Sequence, residues 1–155
     1  MRRSNSKVFR NLALIMLAVG VVRWFMKGWV DELGIPEMAG SLLVSITIVL
    51  LVGLVMIFAR EGRAPNARYW QAAGWWVALA AWSQILVISG ILLAARTGAS
   101  TYYSEMVAAH RELPPVRHAL SHGAAFIFLA GVGLLLGWPI YWVAKRGRAK
   151  ATAAG

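Results

Sequence analysis

Two histidines four residues apart, His118 and His122, are the side chains of this sequence with the clearest chemical potential. On a helix that spacing puts both imidazoles on one face. Such a pair can chelate a metal ion from one side. It cannot grip a haem iron from both sides, so axial ligation needs a second ligand from another helix. Zinc would want further ligands, and His110 and Glu112 are the nearest in sequence. A third reading assigns them no ligand role and leaves them as headgroup-level histidines in the first turns of a helix. Gln84 is the next candidate, an amide inside a long apolar run. Polar groups within a membrane are costly and face the protein interior. Gln84 therefore makes an interhelical hydrogen bond or contacts a ligand such as a quinone. Arg23 lies among Trp24, Lys27 and Trp29. It is either a snorkelling anchor or the partner of an anionic group, such as a lipid phosphate or a porphyrin propionate.

The elements that must carry these residues are four apolar runs, at roughly residues 11–29, 39–59, 72–95 and 119–143. A hydrocarbon core of about 30 Å needs about 20 apolar residues per helix. Backbone groups in lipid must be satisfied within the segment, so the runs are helices. None of them alternates as the strands of a membrane barrel do. The fold expected is an all-α integral membrane protein, a four-transmembrane-helix up-down bundle forming one membrane domain over residues 1–155. The run at 72–95 carries Gln84, Ser83, Ser89, Gly74 and Gly90, which places it inside the bundle. Pro139 is expected to kink or end the fourth helix, and the tail after Lys150 to be disordered.

Charge orients the bundle. If the gaps between runs are assigned alternately to the two faces, one face holds Arg2, Arg3, Lys7, Arg10, Arg60, Arg63, Arg68, Lys145, Arg146, Arg148 and Lys150 against Glu61 alone. The other holds Arg23, Lys27, Arg96, Arg111 and Arg117 against Asp31, Glu32, Glu37, Glu105 and Glu112. Short cytoplasmic loops carry the excess of Lys and Arg, so both termini are expected in the cytoplasm. The histidines then face the periplasm. A short periplasmic helix is expected at 100–112, capped by Ser100 or Thr101, with Tyr102, Tyr103 and Met106 dipping into the headgroups. The setting implied is a bacterial inner membrane crossed several times. Residues 1–22 read as the start of a retained first span, without a small-residue cleavage site.

Composition excludes several classes. The net charge of +10 is accounted for by topology and by attraction to anionic lipid, so nucleic acid is not an expected partner. With no cysteine, this chain has no disulfide, thiolate catalysis, iron–sulfur cluster or cysteine-bound zinc. It has no phosphate loop or nucleophile elbow, and its six acids all lie in loops or at interfaces. A proton-coupled transporter would need a buried Asp or Glu. At most the chain is a non-catalytic subunit of an enzyme.

Two segments carry a family resemblance. Pro65-Asn66-Ala67-Arg68-Tyr69-Trp70-Gln71, leading to Ile88-Ser89-Gly90-Ile91-Leu92-Leu93, resembles the third span of the cytochrome b (gamma) subunits of formate dehydrogenases. Leu113-Pro114, then Arg117, His118, Leu120, Ser121, His122 and Ala124-Ala125, resembles the start of their fourth span. The likeness covers about half of the chain. It implies a four-helix subunit that anchors catalytic and iron–sulfur partners and passes electrons to quinone.

By that likeness His122 matches the outer-haem ligand, with His118 beside it. The chain departs from the family at the other ligand positions. The first span has no histidine. The second opens Pro36-Glu37-Met38-Ala39-Gly40, and the fourth closes Gly137-Trp138-Pro139-Ile140-Tyr141. At most one haem b is then implied, with Met38 as the opposite ligand and Arg117 and Arg23 near the propionates. A quinone near the inner face would meet Trp138, Tyr141 and Gln71, which offer hydrogen-bond donors beside flat apolar surfaces. The expected role is a membrane anchor of a respiratory-type redox complex, with other subunits and lipids as partners. The alternative is a cofactor-free structural subunit of a respiratory or photosynthetic assembly.

Overall fold

The computed structural model describes residues 2–34, 45–103 and 114–153. Four helices make up its regular structure: α1 (Arg2–Glu32), α2 (Ile46–Arg63), α3 (Tyr69–Thr97) and α4 (Pro115–Ala153). Among the described residues there is no strand. Three segments are long and apolar enough to cross a membrane, Ser6–Glu32, Tyr69–Thr97 and Leu120–Thr152. The described part of α2 is 18 residues long and closes with Arg60, Glu61 and Arg63. The run expected to open it begins at residue 39, and residues 35–44 lie outside the described part.

Helix ends follow local chemistry. α3 stops at Gly98, whose φ of 66° is the left-handed cap conformation, and the Gly98 N–H closes on the Ala94 carbonyl at 3.0 Å. α2 stops before Pro65, with the Ala64 N–H bonded to the Glu61 carbonyl. α4 does not stop at Pro139. Proline deprives the Leu135 carbonyl of its donor, yet the helix continues to Ala153. The residues just after Lys150 are therefore helical, not a loose tail. At 39 residues α4 is about 58 Å long, well beyond the thickness of a hydrocarbon core.

α2 and α3 form the middle of the bundle and each packs against the three other helices, while α1 and α4 flank them. Contacts between the helices fix their relative directions. α1 and α3 run together: Phe9 meets Trp75 at 5.4 Å between ring centroids, and Trp82 Nε1–H donates to the Ala13 carbonyl at 3.0 Å. α4 runs against α3: Tyr69 Oη–H donates to the Leu134 carbonyl at 2.6 Å, and Trp76 Nε1–H to the Ala130 carbonyl at 3.2 Å. Trp82, Tyr69 and Trp76 each pack an apolar ring in the bundle and spend their one polar hydrogen on a neighbouring helix.

The core is built from Val8, Leu12, Met16, Leu50, Leu54, Ile57, Phe58, Trp76 and Leu79. The outside is as apolar as the inside: Leu14, Val21, Phe25, Leu51, Val55, Ile85, Ile127, Phe128 and Leu135 are all exposed. A soluble monomer rarely exposes apolar patches beyond a few hundred Å². Close fit, rather than exclusion of water, must then hold such helices together. Glycine supplies it here. A Cβ on Gly133 would overlap the Trp76 indole, one on Gly137 would overlap the Phe58 ring, and one on Gly53 would overlap Leu79.

Candidate functional site

His122 and Gln84 come together where α4 passes the middle of α3. His122 Nδ1 lies 3.1 Å from Gln84 Oε1. The polarity of this contact follows from its neighbours. Ser83 Oγ–H donates to the Ala80 carbonyl at 2.7 Å, which leaves the hydroxyl oxygen as an acceptor. Gln84 Nε2–H donates to that oxygen at 3.4 Å. The amide therefore turns Oε1 towards α4, and the imidazole must carry its proton on Nδ1. Metal-binding histidines are commonly oriented in this way, the second nitrogen donating to a carbonyl or carboxylate. Ser83 and Gln84 are buried, and His122 is half-buried.

The other histidine-side candidates are spread out. His118 stands in the first turns of α4, with its side chain outside the described part, and Arg117 is exposed. Met38, His110 and Glu112 fall in residues outside the described part. Among the described residues no group of three or more His, Asp or Glu is poised to hold a metal ion.

Arg23 is half-buried and stacks on two rings, with Cζ 5.6 Å from the Tyr102 centroid and 5.4 Å from that of Tyr103. Both tyrosines are buried, so they do not dip into the headgroups as expected. The reason is space left by two glycines. Tyr103 Oη–H donates to the Gly20 carbonyl at 3.4 Å, and a Cβ on Gly90 would stand 2.8 Å from the Tyr103 ring. Thr101 Oγ1 accepts the Tyr103 N–H at 3.1 Å, the capping contact expected of Ser100 or Thr101. Met106 and the rest of the expected 100–112 helix lie outside the described part. Burial pushes the Tyr103 phenol above its usual range, and the Arg23 guanidinium pulls it part of the way back.

At the opposite end the aromatic candidates sit on α4 and its neighbours. Tyr141 is buried, while Trp138 and Gln71 are exposed. Trp138 and Tyr141 are linked through Trp142, whose ring stands edge-on to both at 6.0 and 6.2 Å. Tyr141 also meets Tyr69 edge-on at 5.7 Å, and Tyr69 lies 5.5 Å from Phe58. Lys145 Nζ stands 5.0 Å from the Trp142 centroid and 5.8 Å from that of Tyr141. Sequence reasoning did not single out Tyr69, Phe58 or Lys145. Their position at the ends of apolar runs was the available signal.

The residues fit one axial ligand to a haem, His122, with Gln84 orienting it. They do not fit a second haem toward the basic end, since α1 and the part of α4 after His122 hold no histidine. Between α3 and α4 below His122, the space is taken by the Trp76 indole against Gly133. No known protein family, curated protein or solved structure matches this chain.

Proposed function

We propose that this chain is a four-span structural and anchoring subunit of a larger bacterial-type inner-membrane assembly, with both termini at the cytoplasmic face. The observation that carries the reading is the way the chain fills its own interior. The notches at Gly133 and Gly137, wide enough for a flat group, are taken by Trp76 and Phe58. A cofactor plane there would have to displace Trp76 or Phe58, which are 2% and 0% exposed. The outer surface of α4 is largely apolar and exposed, so its neighbours are lipid tails or another membrane subunit.

A second reading keeps one b-type haem near the outer leaflet and a share in electron transfer to quinone. It is favoured by the Ser83–Gln84–His122 chain, in which His122 Nδ1 faces an oxygen acceptor as in many metal-binding histidines. His122 would hold the iron and the haem would supply one-electron transfer. Gln84 would fix the ring, and Arg23 and Arg117 are the cations for the propionates.

One preparation separates the two. The chain is purified from its native membrane in mild detergent, with its companions identified and a reduced-minus-oxidised spectrum recorded. Companion subunits with a flat spectrum support the structural reading. A sharp b-type band that His122→Ala removes overturns it in favour of the second. A chain that comes out alone counts against both.

A further inference from the structure

We propose that the inner end of α4 carries a discrete site for an anionic phospholipid of the cytoplasmic leaflet, formed by Leu135, Trp138, Trp142, Lys145 and Arg146. This rests on the membrane-spanning reading of α4. Residues 135, 138, 142 and 146 follow the i, i+3, i+7, i+11 spacing of one helix stripe. Their exposure is that of an outward surface, 76% at Leu135, 56% at Trp138 and 37% at Trp142. Lys145 borders the stripe, and its ammonium is held over the Trp142 ring. An aliphatic residue, two indoles and two cations thus follow one another along the helix. That order matches the acyl chain, glycerol region and phosphate of a lipid.

Charge commits the site to an anionic occupant. Glu61 is the one acid assigned to this end, and it is buried. Among the described residues no exposed carboxylate lies at this end. Arg148 is used differently: its guanidinium bonds the Ala64 carbonyl and ties α4 to the end of α2. Lys145 and Arg146 are exposed beside the indoles.

The test is native mass spectrometry of the full chain released from vesicles of phosphatidylcholine and phosphatidylglycerol. Wild type should retain phosphatidylglycerol selectively. Lys145→Gln with Arg146→Gln should lower that retention about thirtyfold, roughly fivefold per cation. The control pair Lys7→Gln with Arg10→Gln removes the same charge from the same end, on α1 and away from the tryptophan stripe, and should leave retention near wild type. Equal loss in both pairs would show a diffuse charge effect and overturn the site. Equal retention of the two lipids by wild type would overturn it as well. A chain that fails to enter vesicles at all would instead sink the membrane reading. Matching helical circular dichroism in all variants keeps a folding defect from imitating loss of the site.

Discussion

His122 Nδ1 meets Gln84 Oε1 at 3.1 Å, joining the most polar point of α3 to the first third of α4. In an apolar surround such a bond stabilises helix association by about 1 kcal/mol. Replacing Gln84 with Leu should therefore cost about that much in a denaturant titration of the detergent-solubilised chain. His122→Leu should cost a similar amount, and the double variant little more than either alone. Strict additivity would show that the two side chains do not act on each other.

The tautomer gives an independent measurement on the same pair. Nitrogen NMR of histidine-labelled protein should find the His122 proton on Nδ1. In Gln84→Leu the ring should relax to a mixture of tautomers. A proton on Nε2 in wild type would mean that the amide of Gln84 is turned the other way.

Trp76 against Gly133 sets the distance between α3 and α4. Gly133→Val should prevent the two helices from closing and lower the thermal midpoint sharply, as read by fluorescence-detected size exclusion. Trp76→Ala should cost about 3–5 kcal/mol, the usual range for removing a large buried ring. Combining Gly133→Val with Trp76→Ala should recover part of the loss, because the valine then fills space the indole has left. Failure of any recovery would place the clash elsewhere.

Much of the architecture could be read from the sequence, because crossing a membrane depends on run length and composition alone. The helices that hold the first and third runs reach past them, Arg2–Glu32 around 11–29 and Tyr69–Thr97 around 72–95, because helix geometry does not need lipid. Which faces meet was not readable. The runs are apolar all round, so no polar stripe marks the outside, and the pairing of Phe58 with Gly137 or Trp76 with Gly133 depends on shape. Gln84 and His122 could each be picked out as polar exceptions, but sequence did not pair them. Tyr102 and Tyr103 were misread because residue type alone suits a headgroup position. Gly20 and Gly90 open a place for the Tyr103 ring in the bundle instead.

Docking of the Tyr102–Tyr103 segment should be sensitive to alkali. Burial raises the Tyr103 phenol above its ordinary value of 10.0, so the docked ring keeps its proton where an undocked one has lost it. The sign follows: below the ordinary value both states are protonated and pH has no effect. As pH rises past it, the undocked state is favoured and docking weakens. Limited proteolysis after α3 should accelerate in that range, and Tyr103→Phe should abolish the acceleration. An unchanged alkaline profile in Tyr103→Phe would remove this phenol as the cause.

Absence of cysteine makes the orientation directly testable, since every introduced thiol is unique. Arg148 bonded to the Ala64 carbonyl brings the end of α4 to the turn after α2, and this end collects the excess of basic residues. Cytoplasmic retention of that charge predicts that Thr152→Cys and Ser6→Cys are shielded from an impermeant maleimide in intact cells. Leu33→Cys and Thr97→Cys, at the far ends of α1 and α3, should react. The two sets should exchange behaviour only in inside-out vesicles. If Thr152→Cys reacts in intact cells, the basic end faces outward. The lipid site on α4 would then lie in the wrong leaflet, and His122 would face the cytoplasm.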